Sequence, residues 1–482
     1  SWGFAPSQQR VFQSLITQSM TLIWGPPGTG KSFVLAYSLA GLIKVHQMQG
    51  KPLRILVSAF THTAINNLLK ELTKRLNTLN ISIPIFKRGE LDGLPEQGNI
   101  IAVERFEDFN QTTHDTQIMV YGGTSYAFGQ ISRKNKPTHG HAPIDYLIID
   151  EGSQMTVPQA AQIWPLLDEN TRVVIAGDHY QLPPIIAGTY PHPKEHEPLL
   201  TRSLFEAFQH SDQREKETHP ASKQVIFPLL EGWRMNSTLT QFSREELYTM
   251  TQKDDDGQLQ SYTPATETVA NQRIQILPQT DELLQFILDP EYPMVLCIFE
   301  DTECVQENPY EAHLCTTITN AIRTSLLHPE HPYPTTEEGD STFWKDGLFI
   351  VSPHHVQIRE IQRQLKESRE WLSKPFVDTV DKMQGQQSEV VLISYGVADV
   401  EKAENEAEFI YNRNRLNVSI TRAKSKSIVM LSRQLLTGSA QLLDSEEASL
   451  GLLYMQKLET WCQQGETINV EYEGKQLTIF RR

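Results

Sequence analysis

The sequence predicts an α/β protein of two successive domains, each built on a parallel sheet. The first observation behind this is a pair of series of short apolar runs. One series falls at residues 21–25, 54–60, 117–123, 146–151 and 172–178, the other at 294–300, 347–353, 376–380, 389–396 and 427–432. Their apolar residues are contiguous rather than alternating with polar ones, as expected of strands covered on both faces. The second observation is that helical patterns follow several of these runs, and alternating strand and helix gives parallel sheets. The third is length, since 482 residues can bury two or three cores.

The first helix, 32–45, is apolar nearly all round (Phe33, Val34, Leu35, Leu39, Leu42, Ile43) and reads as buried. The next, 64–76, is apolar on one side (Ile65, Leu68, Leu69, Leu72, Leu76) and reads as a surface helix. Residues 90–116 and 191–223 are polar and read as insertions. Residues 254–270 and 328–341 carry Pro, Gly and acids and read as surface loops. The alternating segment 468–480, broken at Glu473-Gly474, predicts a hairpin. The expected division is a first domain over 1–223, a second over 224–435 and a tail over 436–482.

The net charge of −16 excludes a blanket binder of polyanions. The charge is uneven, however. Residues 1–88 hold ten Lys or Arg against one acid, Glu71, a net of +9, and the remainder carries a net of −25. An acidic protein with a basic surface can still attract an anionic ligand. No run of about 18 apolar residues is present, so no membrane association is expected. Four unevenly spaced cysteines (Cys297, Cys304, Cys315, Cys462) suit neither a disulfide framework nor a zinc site. They favour a reducing, intracellular setting, cytoplasmic or nuclear. The chain opens on Ser1-Trp2-Gly3 without Met, so a processed product or a piece of something longer with a missing N-terminal region is expected; protein partners are a separate expectation.

Gly25-Pro26-Pro27-Gly28-Thr29-Gly30-Lys31-Ser32 lies between a predicted strand and the buried helix. Glycines at this spacing let backbone N–H groups turn inward around a phosphate, and the helix N-terminus adds a favourable dipole. Lys31 is placed to reach the β- and γ-phosphates of a nucleotide, and the Ser32 hydroxyl to sit on Mg²⁺. Such a loop needs a carboxylate for the metal and a base for the attacking water. Asp150 and Glu151, closing the run Tyr146-Leu147-Ile148-Ile149, supply both at the carboxyl end of a strand, where parallel sheets bind ligands.

Further motifs follow in order. They are Ser7-Gln8, the segment 59–67 (Ala59-Phe60-Thr61-His62-Thr63-Ala64-Ile65-Asn66-Asn67), Asp150-Glu151-Gly152-Ser153-Gln154, and Gly177-Asp178-His179-Tyr180-Gln181-Leu182-Pro183-Pro184. Beyond these come Trp233-Arg234-Met235-Asn236, segment 351–357 ending His354-His355-Val356-Gln357, segment 377–385 ending Met383-Gln384-Gly385, and Leu416 to Lys424. Together they resemble the superfamily-one helicases, in the branch of the nonsense-mediated mRNA decay helicase, senataxin and the replication helicase-nuclease. The resemblance spans residues 7 to about 432.

The resemblance implies two tandem RecA-like P-loop domains with a nucleotide cleft between them. It further implies that Gln8 reads the adenine edge, that Trp233 stacks on the base, and that Gln181 bonds the γ-phosphate or its water. Arg234 and Arg422 resemble arginine fingers, which neutralise transition-state charge. Where many members carry an acid two residues after Gln-Gly, this chain has Gln387, which can bond a sugar hydroxyl without a charge.

For single-stranded nucleic acid, the resemblance implies contacts from Thr61, Asn66, Arg88 and Thr124 in the first domain and His355, Gln357 and Thr379 in the second. Short polar groups suit a backbone without reading sequence. Arg133, Lys134 and Lys136 form a basic loop that would extend the track. The function implied is ATP-driven travel on a single strand, DNA slightly before RNA and 5′-to-3′, with hydrolysis coupled to opening and closing of the cleft. The alternative is an ATP-gated clamp, or the motor module of a larger effector.

Overall fold

The computed structural model describes the chain outside residues 1–2, 90, 92–93, 95–99, 104–117, 135–143, 187–198, 220–222, 249, 254–258, 263–266, 269–272, 303, 305–306, 329, 384, 439–441 and 443. Two compact units result, Ser1–Glu231 and Gly232–Arg482.

The first unit holds an eight-stranded sheet. Its strands are β1 (Met20–Trp24), β2 (Leu53–Ser58), β3 (Ile85–Arg88), β4 (Ile100–Val103), β5 (Ile118–Gly122), β6 (Tyr146–Ile149), β7 (Arg172–Gly177) and β8 (Ile226–Pro228). Their order is β4-β3-β5-β2-β6-β7-β1-β8, and all pairings are parallel. The five apolar runs are β1, β2, β5, β6 and β7. Strands β3, β4 and β8, not read from the sequence, extend both edges. Strand β8 draws residues 226–228 into the first unit by pairing with β1, although the sequence placed them in the second.

Helix α1 (Pro6–Thr17) precedes β1, α2 (Lys31–Gln49) follows it and α3 (His62–Thr78) follows β2. As its sequence requires, α2 is buried through Val34, Leu35, Leu39 and Ile43, while α3 buries one face, its apolar stripe together with Asn66 and Thr73. These residues join Ile55, Val57, Val120 and Ile148 in one core. Burying a side chain of this size contributes about 1.5–3 kcal/mol, so this core is the chief support of the loops at the carboxyl ends of the strands. Helix α4 (Ser125–Lys134) follows β5. Within the expected insertion 191–223, the described residues form helix α5 (Leu204–Thr218), with a Ser203/Glu206 capping box. Much of 90–116 and Lys136 of the basic loop lie outside the described residues, as do the side chains of Arg133 and Lys134.

The second unit carries a seven-stranded sheet of β9 (Met294–Phe299), β10 (Leu348–Val351), β11 (Val377–Asp378), β12 (Ser388–Ser394), β13 (Ala423–Ser432), β14 (Glu466–Tyr472) and β15 (Lys475–Arg481). The order is β11-β10-β12-β13-β9-β15-β14. The first five strands are parallel, and the hairpin β14–β15 joins β9 antiparallel. The segment read as a tail is thus continuous with the second sheet, because Leu477 and Ile479 enter its core. In the span 254–270, read as a surface loop, the described residues include strands Leu259–Tyr262 and Glu267–Thr268.

The second core also encloses an ion pair. Arg323 and Asp340 are each 2% exposed at the side chain and approach to 2.7 Å. Arg323 also donates to the Tyr333 and Pro334 carbonyls at 2.9 and 2.7 Å, while Asp340 accepts the Leu372 N–H at 2.7 Å. Breaking such a pair from one side leaves a buried charge uncompensated. Asp340→Ala is therefore expected to destabilise the second unit by about 3–5 kcal/mol in urea denaturation. Asp340→Asn, which keeps an acceptor, should cost less.

Candidate functional site

Three neighbouring parallel strands, in the order β6-β7-β1, end side by side, with Trp24 level with Gly177 and Ile149 level with Ile175. The loops leaving them carry Gly25–Ser32, Asp150-Glu151 and Asp178–Gln181. They are tied together by the Gly25 N–H donating to the Gly177 carbonyl at 3.2 Å and the Gly152 N–H to the Ala176 carbonyl at 2.8 Å.

The Gly-rich loop turns through positive φ at Gly28 and Gly30, 80° and 84°, which other residues rarely adopt. A Cβ on Gly25 would meet the Lys31 side chain at 2.5 Å and Thr29 Oγ1 at 2.9 Å. Thr29 Oγ1 donates to the Pro26 carbonyl at 2.8 Å and stiffens the turn. The Lys31 ammonium donates to the Gly25 carbonyl. Ser32, in the first turn of α2, donates its hydroxyl to Asp150 Oδ2 at 3.1 Å.

Asp150 is 3% exposed and receives the Glu151 N–H at 2.9 Å. Its pKa is pushed up to about 6, first by burial and then by the Glu151 charge, with Lys31 opposing. Glu151 adopts φ 52°, a left-handed backbone uncommon outside glycine. That turn takes its carboxylate off the line of β6, where Gln154 Nε2 donates to it at 3.2 Å. Strain of this kind collects at functional sites. Gln181, 4% exposed, donates to Asp178 Oδ2 at 3.0 Å, and Asp178, fully buried, also accepts the Tyr180 N–H at 3.1 Å. Asp178 and Gln154 were not singled out from the sequence, although both sit in quoted motifs. They orient Gln181 and Glu151.

Gln8 is 1% exposed, and its Oε1 accepts the Ala5 N–H at 3.2 Å, which caps α1.

The other half of the sheet carries Thr61, Arg88 and Thr124 at the carboxyl ends of β2, β3 and β5, which adjoin one another. Thr61 Oγ1 caps α3 by accepting the Ala64 N–H at 3.2 Å, and Thr124 Oγ1 accepts the Ala127 N–H at 3.3 Å to cap α4. Arg88 donates to the Ala127 carbonyl at 3.2 Å and to Gln130 Oε1 at 2.5 Å. Asn66 is 5% exposed, on the inner face of α3.

In the second unit, helix α6 (Ser237–Glu246) begins after Asn236, whose N–H donates to the Lys424 carbonyl at 2.8 Å. This bond joins the segments carrying Arg234 and Arg422. Arg422 is 4% exposed and donates to the Gln386 carbonyl at 3.3 Å. Trp233 is 43% exposed, and Gln387 is exposed. His355 is exposed at the start of helix α7 (His355–Ser368), and Thr379 is half-buried.

Gln357 is fully buried: its Oε1 accepts the Asn308 N–H at 2.8 Å, and its Nε2 donates to the Asn308 carbonyl at 3.1 Å and Ser394 Oγ at 2.9 Å. Its carboxamide holds three segments together. Among the described residues, no His, Cys, Asp and Glu cluster could hold a metal, and no helix is long and apolar enough to cross a membrane.

Fold and site define a P-loop protein with two parallel-sheet α/β units in tandem. Family models agree: one AAA domain (AAA_19) matches residues 8–187 and another (AAA_12) residues 200–434. The chain belongs to the superfamily-one helicases, in the branch of the nonsense-mediated mRNA decay helicase and senataxin. It is 25% identical over 446 residues to the human "DNA replication ATP-dependent helicase/nuclease DNA2", covering 88% of this chain and 36% of that protein. The Gallus gallus protein of that name is 24% identical over 434 residues, with the same coverages. The Schizosaccharomyces pombe one is 25% identical over 462 residues, covering 92% of this chain and 28% of the other. The chain thus spans about a third of the length of these relatives. A solved structure, "ATP-dependent Type ISP restriction-modification enzyme LlaBIII bound to DNA", overlays 95% of this chain and 29% of its own at TM-score 0.42 and 11% identity, a likeness too slight to carry an argument.

The charges around Asp150 set a titration. With its pKa raised from 3.8 to about 6, Asp150 contributes stability that is present below pH 3.8 and lost as pH rises through about 6. Glu151→Gln removes the like charge and should lower the Asp150 pKa, and Lys31→Ala should raise it. Carboxyl carbon NMR titration of the nucleotide-free protein reads both shifts.

Proposed function

We propose that this chain is an ATP-driven motor that travels along single-stranded nucleic acid and separates strands ahead of it. The observation that carries this reading is the convergence of Lys31, Ser32, Asp150, Glu151 and Gln181 at the ends of three adjacent strands. The Gly25–Ser32 loop cradles the phosphates of ATP through Pro26, Pro27, Gly28, Thr29 and Gly30, and Lys31 exchanges the Gly25 carbonyl for phosphate oxygen. The pair of hard oxygen donors formed by Ser32 and Asp150 suits Mg²⁺. Ser32 would hold the ion directly and Asp150 through water, and the ion would neutralise phosphate charge.

In hydrolysis, Glu151 accepts a proton from the water that attacks the γ-phosphorus while the bond to the bridging oxygen breaks and ADP leaves. Its left-handed backbone and the Gln154 hydrogen bond fix that carboxylate beforehand. Gln181 senses the γ-phosphate, and Arg234 and Arg422 supply guanidinium charge to the transition state. Trp233 and Gln387 contact the base and sugar. Thr61, Arg88, Thr124, His355 and Thr379 follow the backbone of the strand. The names of the relatives favour DNA over RNA, and the family branch favours 5′-to-3′ travel.

Lys31→Ala and Glu151→Gln are each expected to lower strand-stimulated ATP hydrolysis by at least about a hundredfold, with Glu151→Gln still binding ATP. The phosphate-release assay should run with matched DNA and RNA strands. Absence of stimulation by either contradicts the reading. Displacement of streptavidin from a biotinylated 3′ end, and not from a 5′ end, distinguishes 5′-to-3′ travel from clamping.

A further inference from the structure

Helix α4 begins immediately beyond β5, at the same end of the sheet as the proposed strand track. Its first turn is held from two directions. Thr124 caps it, and Arg88 on neighbouring β3 reaches across to the Ala127 carbonyl and Gln130. Ala127 and Phe128 are buried at 5% and 0%, which locks the turn against the unit beneath. Between this anchored pair and the Thr124 cap stands Tyr126, with its side chain 61% exposed. An aromatic ring usually buries 150–250 Å² when it serves packing. This one stabilises little by burial, yet it stands on a turn held by the Thr124 cap and by Arg88.

We propose that Tyr126 is a stacking platform for one base of the bound single strand. This inference rests on the strand-track reading above and adds what that track lacks. Thr61, Thr124 and Arg88 are polar and suit phosphate and sugar, whereas a base presents an apolar face that needs a ring. Stacking accepts any base, since every base has a π-face, so Tyr126 grips without selecting sequence. A rigid ring also loses little conformational freedom on binding. The hydrogen bonds from Arg88 to the Ala127 carbonyl and Gln130 also hold the platform in place beside the track.

The test compares binding of the full chain to an oligothymidine strand and to a strand of equal length made of abasic sites, which keeps the phosphates and removes the bases. Tyr126→Ala should weaken binding of oligothymidine about tenfold, and Tyr126→Phe should bind as the wild type does. On the abasic strand, wild type and Tyr126→Ala should bind equally. The slope of log affinity against log salt should not change, because no phosphate contact is lost. Oligothymidine binding unaffected by Tyr126→Ala overturns the proposal, as does an equal loss on both strands. A wild-type chain that binds neither strand overturns the strand-track reading itself, and the stacking role with it.

Discussion

The hydrogen bond from the Gly25 N–H to the Gly177 carbonyl closes the ends of β1 and β7 against each other, and the chemistry of the first unit depends on that alignment. Parallel strands bring all their carboxyl ends to one edge of the sheet. Ordering them β6-β7-β1 makes Asp150, Gln181 and the Gly25–Ser32 loop immediate neighbours, though the loop lies more than a hundred residues before the other two in the chain. The unbroken apolar faces of α2 and the central strands keep that edge from shifting. Function here rests on core packing one layer below.

Electrostatics explains why the site is poised rather than merely assembled. Asp150 has been taken out of water and set beside Glu151, two effects that oppose its ionisation, with Lys31 partly offsetting them. A divalent cation would relieve both at once, so the site is organised around a positive charge. The positive φ of Glu151 belongs to the same arrangement, with Gln154 donating to the carboxylate that this backbone carries.

All ten apolar runs proved to be strands because both faces of each are covered, which leaves contiguous hydrophobicity as a strong signal. Strands β3, β4 and β8 escaped because they are short and near or at a sheet edge, and in β3 the sequence ends Lys87-Arg88. Lys87 is fully buried, donating to the Arg88 carbonyl and His62 Nδ1. A buried ammonium satisfied by local oxygen and nitrogen leaves no trace in a hydropathy pattern. The same fact tempers the basic excess of residues 1–88. Lys87 is inside, and Arg75 lies over the Tyr37 ring and pairs with Glu71. Motif spacing located the phosphate loop, but it could not reveal which polar side chains are spent internally. Gln8 caps a helix and Gln357 braces a core, internal contacts that leave no mark in the sequence.

The most direct measurement of the central claim is a crystal structure with a non-hydrolysable ATP analogue and Mg²⁺. The account predicts that Lys31 Nζ leaves the Gly25 carbonyl for the β- and γ-phosphates, that Ser32 Oγ turns from Asp150 to the ion, and that Glu151 keeps its left-handed backbone beside the γ-phosphate. An analogue seated elsewhere, with Lys31 still on Gly25 and Ser32 still on Asp150, would contradict it.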